Sequence, residues 1–182
     1  REGITAMRNL IILFAAAASL TACGGGSSSP DAQPPSGNTN PIAALEAAGK
    51  LPKLDRSSDL KGPDANANGV RDDIEAILNK QYTAAAQNAA AMQVARSLQA
   101  VFDLPQGDRV AAKRVILLGS RAIMCVSAKF DKSAHETNPS VVTKQIEAMT
   151  FNTKARMKAY MNYMSALDGS VWSLPEGDTC ER

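Results

Sequence analysis

From Val70 to Phe102 apolar residues recur at three- and four-residue spacing: Ile74, Leu78, Ala85, Ala89, Met92, Ala95, Leu98 and Phe102. That period predicts one long amphipathic helix. Its Ala-rich middle adds the residue type of highest helix propensity, and Pro105 and Gly107 end it. Asp108 is placed as the N-cap of a second helix reaching about Phe130. On it Ala111, Val115, Leu118, Ala122 and Cys125 share one face, with Ile116, Leu117 and Met124 beside them. Asn138-Pro139 reads as the cap and first residue of a third helix. There Ile146, Met149, Thr153, Met157, Tyr160, Met164 and Leu167 follow a repeat close to 3.5 residues. A short helix over Ile42–Ala48, closed by Gly49 and Pro52, precedes a polar, irregular stretch from Lys53 to Pro63, and Gly169 and Pro175 mark a C-terminal tail. No segment alternates apolar and polar residues as a strand does. The expected fold is all-α: three long helices packed as a bundle, with antiparallel neighbours where the connections are short.

A different pattern precedes these helices. After Met7, which is expected to be the true start because Arg1 is no initiator, come Arg8, an apolar run over Leu10–Leu20, and then Thr21-Ala22-Cys23. The run is far shorter than the about 20 residues that span a bilayer, and suits the apolar region of a secretory signal. Leu20-Thr21-Ala22-Cys23 resembles a bacterial lipobox. The resemblance implies cleavage before Cys23 and acylation of Cys23 on both its sulfur and its new amine. Several acyl chains anchor stably where one does not. Gly24, rather than Asp, follows the cysteine, which in such lipoproteins favours the outer membrane. Residues 24–41, with three glycines, three serines and then Pro30, Pro34, Pro35, Gly37 and Pro41, offer almost nothing to bury, so a flexible linker is expected. As a coil it would reach roughly 20–25 Å. The expected organisation is therefore six upstream residues and a signal over 1–22, a lipidated cysteine and linker over 23–41, and a helical domain over 42–182.

Charge and cysteine content narrow the partners and the compartment. Twenty Lys+Arg against 18 Asp+Glu give no clearly basic domain of the kind a nucleic-acid binder carries. The roughly 140 residues of the domain suffice for a modest core without a metal. With Cys23 lipidated, Cys125 and Cys180 remain as a pair, which in an oxidising compartment is expected to form a disulfide tying the Trp172-containing tail to the second helix.

One segment carries recognisable chemistry. In Asp64-Ala65-Asn66-Ala67-Asn68-Gly69-Val70-Arg71-Asp72-Asp73-Ile74-Glu75, oxygen-bearing residues stand at positions 1, 3, 5, 9 and 12, glycine stands at 6, and position 7 lends its carbonyl. Ca²⁺ is hard and takes six to eight oxygens, and glycine permits the sharp turn. The candidate ligands are Asp64, Asn66, Asn68, Val70, Asp72 and Glu75. The segment resembles EF-hand-like loops, and more narrowly those of dockerins and thrombospondin type 3 repeats, over these twelve residues alone. Arg71 at position 8 departs from paired EF-hands, and Gly62-Pro63 leaves no entering helix. The expectation is a solitary, weak and structural calcium site.

Other features are weaker. Met149, Met157, Met161 and Met164 crowd the third helix; thioethers bind Cu(I), but methionine also fills cores poor in aromatics, and core is the expectation. Residues 109–158 hold ten Lys/Arg against Asp131, Glu136 and Glu147; this excess would suit anionic lipid or an acidic partner, although solvated helix faces account for it as well. His135, the single histidine, lies in a polar connection beside Glu136 with no nucleophile elbow or zinc pair. Together these readings describe a non-enzymatic lipoprotein of the outer membrane, anchored by its lipid and presenting a calcium-stabilised helical domain to a protein or envelope partner. The alternative is a periplasmic small-molecule or copper binder using the Met-bearing helix.

Overall fold

A computed structural model describes residues 41–181. The signal, Cys23 and the linker up to residue 40 lie outside the described residues. Within them the chain is helical and free of strands: α1 (Pro41–Ala47), α2 (Asp72–Gln81), α3 (Ala85–Gln99) running into a 3-10 turn (Ala100–Asp103), α4 (Arg109–Lys129), α5 (Pro139–Thr150) and α6 (Lys154–Ala166).

The second expected helix matches α4 closely. Its cap is Asp108, whose carboxylate accepts from the Ala111 amide at 2.9 Å, and Asn138 caps α5 through the Ser140 amide at 3.0 Å. The first and third expected helices are each two. Between α2 and α3 the backbone turns extended at Tyr82 and Ala84. Tyr82 is buried there, edge-on to Phe130 with ring centroids 5.0 Å apart. Asn88 braces the corner by donating to the Asn79 side chain at 3.0 Å. The spacing runs unbroken across the corner because α2 and α3 face the same core, while Ala85 and Ala89, expected to face inward, are exposed. The third expected helix breaks at Phe151–Thr153. Thr153, expected in the core stripe, is instead the N-cap of α6 and accepts from the Arg156 amide at 3.2 Å.

That break resets the phase of everything after it. Arg156 and Tyr163 become the buried positions of α6, whereas Met157, Met161 and Met164 are 44%, 57% and 41% exposed. The core role expected for these three methionines is thus corrected; of the four expected there, Met149, before the break, is the one that is buried.

α3 is the central element. From Ala90 to Ala95 it is buried on every side, which its small side chains allow because neighbouring helices can approach closely. The core has two parts. One joins Val70, Ile74, Leu78 and Tyr82 to α3, the second half of α4 and Val142, Ile146 and Met149 of α5. The other joins Val101, Ala112, Val115, Phe151, Tyr163 and Leu167, with Phe151 stacked on Tyr160 at 4.4 Å. Full burial of an aliphatic side chain such as Ile74 contributes about 1.5–3 kcal/mol.

Cys125 and Cys180 are disulfide-bonded, and the tail end is fastened on both sides of Cys180. The buried Gln93 side chain donates to the Thr179 carbonyl at 2.9 Å and accepts from the Glu181 amide at 3.1 Å, as a strand backbone would. Arg96 pairs with Glu181 beside it. Trp172 stays 42% exposed, so the bridge holds the end of the tail and not its indole.

Candidate metal centre

The twelve-residue segment forms a tight loop leading directly into α2. Asp64 organises it. One carboxylate oxygen accepts from the Asn68 amide at 3.1 Å and the other from the Gly69 amide at 2.9 Å. Asn66 accepts from the Asn68 amide at 3.1 Å, and Asn68 from the Val70 amide at 2.9 Å. The chain closes on itself where the Asp72 amide donates to the Pro63 carbonyl at 2.8 Å and the Asp72 carboxylate accepts from Ala65 at 3.0 Å. Gly69 holds φ +81°, a conformation that glycine adopts without steric cost. Glu75 lies in the first turn of α2 and reaches back to accept from the Asn66 amide nitrogen at 3.1 Å. Asp64 and Asn66 thus share the Asn68 amide, and Asn66 is joined in turn to Glu75.

Every side-chain and main-chain donor named for this segment is oxygen: carboxylates of Asp64, Asp72 and Glu75, amide oxygens of Asn66 and Asn68, and the Val70 carbonyl. Such a set suits a hard cation and not zinc or copper. Among the described residues no three His, Cys, Asp or Glu side chains converge as a metal-binding group. As they stand, Asp64, Asp72 and Glu75 are not such a group, so a cation would have to draw them together with the two asparagines. Val70 itself is fully buried, so its side chain moors the loop in the core.

The residue that departs from paired EF-hands explains how this loop is held. Arg71 is fully buried. It grips Asp73 with two hydrogen bonds, at 2.6 and 3.0 Å. It also donates to the Met149 carbonyl at 3.0 Å, one of the carbonyls left unpaired at the end of α5. A cation suits that end of a helix. Gly62 lies over the Arg71 stem: a Cβ there would come within 2.4 Å of Arg71 Cδ, and its φ is +69°.

A second buried arginine extends the same polar junction. Arg156 donates to the carbonyls of Asp55, Asp59 and Leu60 at 2.6, 2.9 and 2.9 Å, to the Asn152 side chain at 2.8 Å and to the Asp55 carboxylate at 2.5 Å. The Asp55 amide in turn donates to Asp73 at 2.6 Å. Burial pushes the Asp55 carboxyl up, but hydrogen bonds from Arg156 and from the hydroxyl and amide of Ser57 outweigh it and hold the carboxyl below its ordinary value. The irregular stretch before the loop is thus ordered by two guanidinium groups instead of an entering helix. Neither role was visible in the hydrophobic pattern, since periodicity assigns a charged residue to the surface.

His135 is exposed in the connection between α4 and α5. The cavity nearest the loop, bounded by Asp59, Lys61, Asp64, Arg96, Gln99 and Asp103 among others, is open and of mixed charge. No family model, curated protein or solved structure matches the chain.

Proposed function

We propose that the protein is a non-enzymatic lipoprotein of the outer membrane, anchored through Cys23, whose helical domain is stabilised by calcium at residues 64–75 and binds a protein or envelope partner. The observation that carries the calcium reading is that Asp64 and Asn66 accept from one backbone amide while Asn66 bonds Glu75 across the loop, so that oxygen-bearing groups from both ends of the segment lie on it. Ca²⁺ would supply charge compensation for Asp64, Asp72 and Glu75. It would also stiffen the entry to α2, and through Arg71 the end of α5. With only three carboxylates, affinity is expected on the order of 10⁻⁴–10⁻³ M, as in extracellular modules.

Titrating the mature chain with Ca²⁺ should raise its Tm progressively, as any ligand that binds only the folded state does. Glu75→Ala should remove the gain. A parent Tm indifferent to millimolar Ca²⁺ contradicts the site. The alternative reading, Cu(I) on Met157, Met161 and Met164, is favoured by their exposure on one helix. A Tm gain with Cu(I) and not with Ca²⁺, lost in Met161→Leu, would move the assignment to α6.

A further inference from the structure

We infer that the outward face of α4 is a docking surface for an anionic phospholipid bilayer, an inference that deepens the lipoprotein reading and rests on it. α4 is the longest helix, 21 residues, or about 30 Å. It carries Arg109, Lys113, Arg114, Arg121 and Lys129 and no acidic residue. Val110, Arg114, Leu117 and Arg121 follow a 4-3-4 spacing and so share one face, with Lys113 and Leu118 flanking it. All six are exposed, Val110 by 65% and both leucines by 47%. Arg109 is engaged elsewhere, donating to the Ala166 and Asp168 carbonyls at the end of α6. Lys113, Arg114 and Arg121 enter none of the ion pairs among the described residues. The face therefore offers unneutralised cations interleaved with aliphatic side chains. The cations match lipid phosphates, and the aliphatic tips can enter the headgroup region, as on interfacial helices.

Chain length makes weak attraction sufficient. Seventeen residues separate Cys23 from Pro41, where α1 begins, and span at most about 60 Å. An anchored molecule therefore meets its own bilayer at an effective concentration on the order of millimolar. Each cation near an anionic surface adds to the attraction, which salt screens.

The test uses the mature chain with Cys23→Ser, so that no acyl group contributes to binding. It is sedimented with vesicles of phosphatidylcholine alone or of equal parts phosphatidylcholine and phosphatidylglycerol. The chain should sediment with the anionic vesicles, stay in solution with the neutral ones, and be released by salt. Lys113→Glu with Arg121→Glu should weaken the binding at least tenfold. Lys132→Glu with Lys144→Glu, which changes net charge equally at exposed sites off α4, should leave it within twofold. If the reversal pair lowers Tm, Lys113→Gln with Arg121→Gln serves in its place. Equal binding to both vesicles, no binding to either, or equal loss in the two pairs overturns the proposal. So does an α4 variant that changes only self-association. Because the chain used is unacylated, none of these outcomes bears on whether Cys23 is the anchor, which mass spectrometry of the native protein decides separately.

Discussion

Arg71 and Arg156 hold positions that a hydrophobic pattern would give to isoleucine or leucine. Each is fully buried, and each satisfies its guanidinium against one carboxylate and several carbonyls, which is what makes burial of the charge tolerable. Their partners give the junction a pH dependence. The Asp55 carboxyl is held below its ordinary value, so the folded state binds its proton less readily than the unfolded chain. The stability it contributes is complete above about pH 4 and is lost as pH falls through the folded-state value. The urea midpoint of Asp55→Asn should accordingly lie furthest below that of the parent at pH 7, and the gap should close in acid. A gap that does not vary with pH would contradict the assignment. At this scale the loop over residues 64–75 is legible because glycine and short oxygen-bearing side chains at those offsets fold back onto their own backbone amides. The two arginines are not, because their partners are backbone carbonyls, and any residue type supplies those.

The starts of α4 and α5 are legible in their caps: Asp108 opens α4 and Asn138-Pro139 opens α5. Corners without glycine or proline were missed. Tyr82 ends α2 because its ring packs on Phe130, a contact 48 residues away in sequence that no local pattern announces. Thr153 carried the signal of a cap, yet its place in the 3.5-residue repeat outweighed that signal, and the phase error moved three methionines into an expected core they do not occupy. The tail is an element held almost wholly by long-range links: the disulfide across a separation of 55 residues, the Gln93 bonds and the Arg96–Glu181 pair. In the chain-entropy account, a closed loop of that size is worth on the order of 4 kcal/mol. Cys125→Ala with Cys180→Ala should lower the urea midpoint by a corresponding amount and open the region around Trp172 to protease. An unchanged midpoint would show that Gln93 and Arg96 hold the tail alone.

The described residues form a helical body whose loop–helix entry, α5 end and α6 start meet at one polar junction, so that a cation bound at one side would be felt across several elements. The acid-free α4 adds a face suited to a charged bilayer. Both features make sense on a body tethered beside a membrane, and that placement rests on Leu20-Thr21-Ala22-Cys23. Intact-mass analysis of the protein recovered from bacterial membranes tests it most directly. The account predicts a chain beginning at Cys23 and heavier than its residues by three acyl groups and a glycerol. A mature protein without acyl groups, still carrying the residues before Cys23, would contradict it.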